Sequence, residues 1–200
     1  GAYFAGGDGS EDYPYLIAHP IHYYNLAWLQ YLGYFNADAV EGGTWAPTYF
    51  KLDDSLQENG LDMTGYVLPP IGTEGVSGKT NQGNPFLGVF DGNGVTVSNL
   101  TIDNYVGSGH ITQKPSQVTT TEGPLPGAEI EGAFGVIGNE AEYGQNSPYT
   151  NSDQDPYVHD VTYEDLTVVC SQSKALIGAA AGYQNGEMEN VRVIDPTLNI

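Results

Sequence analysis

From Pro47 onward, apolar and polar positions alternate in short runs separated by glycine, asparagine and aspartate. Thr48–Leu52, Tyr66–Leu68, Leu87–Phe90 and Val95–Ile102 each read as a strand, because alternation puts one side-chain set on each face of a pleated segment. Between the last two, Asp91-Gly92-Asn93-Gly94 predicts a tight turn, since Asn and Gly tolerate positive φ. One stretch departs from this period. From His19 to about Gly33, Ile21, Tyr24, Trp28 and Leu32 recur at steps of three and four behind Pro20, which suits a first helical turn. The spacing predicts a single amphipathic helix over about 19–33, burying that face as a lid. The Gly-rich, acidic stretch Gly1–Asp12 reads as loop.

Strand segments recur. Val158-His159-Asp160-Val161-Thr162-Tyr163 lies over Met188-Glu189-Asn190-Val191-Arg192-Val193 at an offset of 30 residues, and the match continues with Asp165 over Asp195 and Thr167 over Thr197. Val97-Ser98-Asn99-Leu100-Thr101-Ile102 reads as an earlier copy, 61 residues before Asp160 at its Asn99. Each copy carries an Asn or Asp between apolar positions, so these residues are expected to stack as a hydrogen-bonded ladder. Two runs of small residues, Gly132–Gly138 and Ala175–Gly182, precede the last two copies. Alternation with glycine at fixed points is the requirement of a β-solenoid, in which each coil buries its inward side chains against the next. Strands of an ordinary β-sandwich are the alternative. Two segments, at about 106–128 and 139–156, are long for connections in a compact domain and read as functional or mobile loops.

Composition narrows the function. Five Lys and Arg stand against 25 Asp and Glu, a net charge of −20 that repels phosphate backbones and anionic lipid heads. Nucleic acid is therefore excluded as a partner, and no apolar run is long enough to insert in a membrane. With 15 tyrosines and 27 glycines, the chain has the composition of a folded acidic protein rather than a disordered tail. This balance fits a secreted or cell-surface bacterial protein. The chain begins at Gly1 without Met, which points to a removed leader, and ends in a strand-like run, which points to a piece of a longer surface protein.

Motifs for catalysis are weak. Gly78-Lys79-Thr80 fails as a phosphate loop because the required preceding glycine position is Thr73. Polysaccharide-cleaving β-helices resemble one another in clustered carboxylates and basic residues, whereas Arg192 is the only arginine here and Lys51, Lys79, Lys114 and Lys174 are scattered. Asp53-Asp54 are adjacent and would point to opposite faces of a strand, so a strand-end turn is the simpler role. Among His19, His22, His110 and His159, only the His19–His22 spacing resembles a metal pair, and capping or surface roles compete with it. Cys170 cannot form an intrachain disulfide and reads as a small buried residue. No catalytic residue is assigned. Asp153, Asp155 and Asp160, with Asn151 nearby, offer hard oxygen donors suited to calcium, against a solvated acidic loop; no other cofactor is expected. Tyr143, Tyr149 and Tyr157 lie in or beside an insertion rich in Asn, Gln and acids. They read either as a ligand-binding surface together with Asp153 and Asp155, or as residues packing the loop down.

These residues also carry a family resemblance. Gly6, Gly7, Glu11, Asp12 and Pro14-Tyr15-Leu16-Ile17 before the helix, Tyr49, Phe50, Leu52 and Asp54, and Pro70-Ile71-Gly72 match successive segments of one family. Pro85–Gly94 followed by Val97, Asn99, Leu100 and Ile102, then Gly132, Phe134, Gly135, Gly178, Gly182, Gly186, Asn190 and Val191, complete the pattern. The chain resembles the GLUG-motif β-helix domains of bacterial adhesin-like surface proteins, departing from them in the two insertions and in Asp160, where Asn is usual. The resemblance implies an all-β, right-handed parallel β-helix with a short N-terminal capping helix and two long loop insertions. It divides the chain into a cap at 1–46 and coils at 47–200. It also implies export and surface attachment, without a reaction. The expectation is a non-enzymatic adhesin-like domain displaying loops for a host glycan, mucin or protein. A β-helical carbohydrate-active enzyme and a purely structural spacer are the alternatives.

Overall fold

The computed structural model describes residues 2–35, 47–74, 84–138, 156–171 and 176–200. Strands dominate, and one α-helix accompanies them. The chain opens with β1 (Tyr15–Ile17) and α1 (Pro20–Tyr31), followed by β2 (Tyr49–Leu52), β3 (Leu61–Asp62) and β4 (Val67–Leu68). Next come β5 (Val89–Ser98), β6 (Thr101–Asp103), the short β7 (Tyr105–Val106) and β8 (Gly123–Pro124), β9 (Ile130–Glu131) and β10 (Phe134–Ile137). The order then repeats with β11 (Tyr157–Glu164), β12 (Thr167–Val169), β13 (Leu176–Ile177) and β14 (Ala181–Gln184), and again with β15 (Glu187–Ile194) and β16 (Thr197–Asn199).

From β4 onward, apart from the β7–β8 pair, neighbours in sequence lie in different sheets, and the chain returns to the larger sheets in turn. One sheet runs β1-β2-β5-β11-β15, with β3 also on β5; a second runs β16-β12-β6-β4; β9 pairs β13, and β10 pairs β14. All these ladders are parallel; β7–β8 is the antiparallel pair. The 30-residue repeat is exact in three dimensions: Val158 faces Met188, Tyr163 faces Val193 and Thr167 faces Thr197.

The earlier copy is displaced from its expected position. Val158 pairs with Phe90, not Val97, and Thr167 pairs with Thr101. The cause is Asp91-Gly92-Asn93-Gly94, which forms a bulge inside β5 instead of reversing the chain. His159 opposes Asp91 and Val161 opposes Val95, so three residues of β5 face the single Asp160. Asn93 (φ 53°) and Gly94 (φ 72°) adopt the positive φ that a turn would have used. Gly92 is required there, since a Cβ would lie 2.3 Å from the Asp160 carbonyl oxygen.

Inward positions of the parallel sheets form a core containing Phe50, Phe86, Phe90 and Phe134, with successive ring centroids from Phe50 to Phe86 and from Phe86 to Phe134 at 6.1 and 5.4 Å. The helix buries half of the face its spacing predicts, Trp28 and Leu32, and adds residues from beside it. Tyr23, Leu26, Ala27 and Tyr31 are inside, whereas Ile21 is 46% exposed and Tyr24 is half-buried. Apolar residues lie on nearly every side of this helix, so tertiary partners choose the face. Tyr23 makes a hydrogen bond of 2.9 Å to the buried Tyr163 hydroxyl, and Tyr31 donates to the Pro126 carbonyl. The 106–128 segment is packed rather than extended: Val106, Ile111, Val118, Leu125 and Ala128 are buried.

Candidate functional site

The densest set of chemically versatile side chains lies on the solvent face of β5, β11 and β15. Parallel register brings Asp91, His159 and Glu189 side by side, with Lys51 beyond Asp91. Tyr157 stands two residues earlier on β11, on the same face. Its ring stacks on His159 at 4.4 Å between centroids and 26° between planes, and its hydroxyl donates to Glu189 Oε2 at 2.7 Å. Strand alternation would turn Asp160 inward, but its φ of 56° breaks the alternation and keeps it beside His159.

The hydrogen bonds fix each group. His159 Nδ1 lies 2.7 Å from Asp160 Oδ2 and 3.8 Å from Asp91 Oδ1. Asn190 Nδ2 donates to Asp160 Oδ1 at 2.6 Å, while the Asn93 N–H donates to Asp91 Oδ1 at 2.8 Å. Asn190 and Asp160 thus form one step of the expected ladder; Asn99, its expected third member, donates instead to Asp62 Oδ1 at 3.1 Å, and Asn93 donates to Asp54 Oδ1 at 2.6 Å. Hydrogen bonds from His159 and then Asn190 hold the Asp160 carboxyl below its ordinary range, and the bond to Glu189 is the main cause that pushes the Tyr157 phenol up to about 12. One donor atom each from Asp91, His159 and Asp160 fall within 4.8 Å of one another. A flat ring, carboxylates and amides converge here, as do mixed nitrogen and oxygen donors.

Of the residues singled out from sequence, Tyr157 and Asp160 meet on this face. Tyr143, Tyr149, Asp153 and Asp155 lie outside the described residues, as does Gly78-Lys79-Thr80. His159 and Asp91 were not linked by sequence reasoning; the signal was the 30-residue offset, which places an acid, Glu189, opposite His159. The His19–His22 spacing serves the helix start: His22 Nδ1 accepts the N–H groups of Ala18 and His19, both at 3.1 Å, and burial lowers its pKa. Asp53 accepts the Ser55 N–H at the start of a short 3₁₀ turn, a strand-end role.

A second cluster is buried beneath the 106–128 segment. Asp103 Oδ2 meets His110 Nδ1 at 2.8 Å. Asn104 donates to the Ala128 carbonyl at 3.1 Å and to Cys170 Sγ at 3.6 Å, and accepts the Ser171 N–H at 3.2 Å. Glu131 is fully buried beside Cys170 and Asp103. Burial above all, then the neighbouring Asp103, pushes its carboxyl up to about 9, so it carries a proton at neutral pH. Within this cluster Asp103, Asn104, Glu131 and Cys170 are buried, and solvent reaches it at His110 and Ser171. A cleft of about 710 Å³ beside the N-terminal turn is lined by Tyr3, Phe4, Tyr15, Tyr34 and Phe35. Asp8 is the carboxylate among its described lining residues, and it accepts the Ser10 N–H.

Among the described residues no helix is long and apolar enough to cross a membrane. Comparison with protein-family models, curated proteins and solved structures found no match for this chain.

Proposed function

We propose that the chain is a non-enzymatic, adhesin-like domain of a secreted or cell-surface bacterial protein, built as a right-handed parallel β-helix of the GLUG-motif kind. Its role is to hold a host glycan, mucin or surface protein. The parallel sheets, visited in a repeating order, support the β-helix reading. One observation carries the binding reading: the half-exposed Tyr157 ring stacked on His159 and edged by Asp91, Asp160, Glu189 and Asn190. Sugars are held by just such sets, with rings covering their apolar faces and carboxylates or amides meeting their hydroxyls. The net charge of −20 directs the choice toward neutral or cationic ligands. Of the calcium candidates Asp153, Asp155 and Asp160, Asp160 lies among the described residues, and its side chain is held by His159 and Asn190.

A glycan and mucin binding screen of the whole chain, with and without calcium, tests this while the same wells are read for released reducing ends. Saturable binding without release is expected, and Tyr157→Ala should weaken it about tenfold while far-UV circular dichroism stays unchanged. Product release would replace the reading with a carbohydrate-active enzyme. Silence in both channels would leave a structural spacer.

A further inference from the structure

We propose that Asp91, His159 and Asp160 form a site for a divalent metal ion of the zinc class, bridging two neighbouring parallel strands. The donor set comes first. One imidazole nitrogen with two carboxylates is the mixed nitrogen and oxygen set that zinc and its neighbours accept, whereas calcium takes oxygen alone. Position follows from the backbone. The β5–β11 register places Asp91 opposite His159, and the positive φ of Asp160 turns a third donor to the same side. All three donor atoms already lie within 4.8 Å of one another, with His159 Nδ1 at 2.7 Å from Asp160 and 3.8 Å from Asp91.

The groups behind the donors complete the argument. Tyr157 packs flat against the imidazole, Asn190 holds the second oxygen of Asp160, and the Asn93 N–H holds Asp91. Such outer partners orient ligands before the ion arrives and commonly change affinity by about 10–100-fold. Binding takes the neutral imidazole with its ring proton on Nε2, so that the Nδ1 lone pair and both carboxylates face the ion. The surroundings favour a cation, because Glu187 and Glu189 flank the site on β15. The proposal stands independently of glycan binding.

The test is calorimetric titration of the whole chelator-treated chain with zinc chloride, calcium chloride and magnesium chloride. One saturable zinc site is expected, with weaker binding of calcium and magnesium, and a cobalt-loaded sample should show visible d–d bands. His159→Ala and Asp91→Asn should each weaken zinc at least about tenfold, while His110→Ala should leave it unchanged. The two variants differ in how they disturb the face, and circular dichroism reports whether each stays folded. Unchanged zinc affinity in folded His159→Ala or Asp91→Asn overturns the site, as does the absence of saturable binding. Tighter calcium than zinc binding overturns the metal class.

Discussion

The two acid-rich regions of this molecule use the same residue types to opposite ends. On the solvent face, Asp91 and Asp160 sit beside His159 with water at hand, and hydrogen bonds hold Asp160 in its charged form. Under the 106–128 segment, Asp103 also sits beside a histidine, yet burial raises its pKa despite that bond, and Glu131 is pushed much further. The difference is solvation. Removing water costs a carboxylate more than one neutral or shared partner returns, so the buried region favours protons where the exposed region favours cations. Clusters of Asp, Glu and His therefore carry no fixed meaning until burial is known.

The largest effect expected from this contrast is on stability against pH. Glu131 has a folded-state pKa of about 9 against an ordinary 4.5, so the folded protein holds a proton that the unfolded chain releases. Stability supplied by that proton is complete below about pH 4.5 and is lost progressively as pH rises toward 9, at up to about 1.4 kcal/mol per pH unit. The raised Asp103 acts in the same direction. Asp8, Asp53, Asp62 and Asp160, all lowered from 3.8, act in the opposite direction, losing stability only as pH falls through that region and below. Melting temperature should therefore peak in mildly acidic solution and decline by pH 8. Glu131→Gln, which keeps the shape without the titration, should flatten most of the decline and be the more stable protein at pH 8. Melting curves of parent and variant that stay parallel from pH 5 to 8 would show the buried carboxyl to be solvated after all.

The next test asks whether the buried region owes its order to hydrogen bonds. Asn104 is fully buried and serves three partners: the Ala128 carbonyl, Cys170 Sγ and the Ser171 N–H. Asn104→Ala removes the partner of the buried Ala128 carbonyl and leaves it out of reach of water, at a cost of about 1–3 kcal/mol. Chemical denaturation at fixed pH measures it. A change below about 0.5 kcal/mol would mean that the overlying segment opens easily and lets water in.

What the sequence disclosed and what it hid divide along the same boundary. Patterns of period two and the 30-residue offset are local or regularly spaced, so the strands and the β11–β15 register were legible. The β5 register was not, because Asn93-Gly94 satisfies a bulge as readily as a turn; both need positive φ, and only the neighbouring strand decides. The helix face was legible only for Trp28 and Leu32 for a similar reason, since its apolar residues encircle the axis. Tyr157 and Asp160 were reached through composition, but their union with His159 and Asp91 needed the register that the bulge concealed. Glu131 carried no readable signal, since Glu129-Ile130-Glu131 looks like any alternating strand with acids outward. Its link to Asp103 and Cys170 joins residues far apart in sequence and leaves no periodic trace.

The smallest expected effect lies on the exposed side and separates backbone from side chain. Asn190 has a φ of 53° and donates to Asp160 across the coil at 2.6 Å, with both residues in solvent. If the exposed ladder contributes little, as competition from water predicts, Asn190→Gly should leave the melting temperature almost unchanged, because glycine adopts the left-handed backbone freely. Asn190→Ala loses the same bond and also places a Cβ in that conformation, a penalty of about 1 kcal/mol. The difference between the two variants therefore reports backbone strain alone, and the glycine variant reports the bond. Equal losses in both would show that the ladder itself stabilises the exposed face, and the two acid-rich regions would then differ less in energy than in charge.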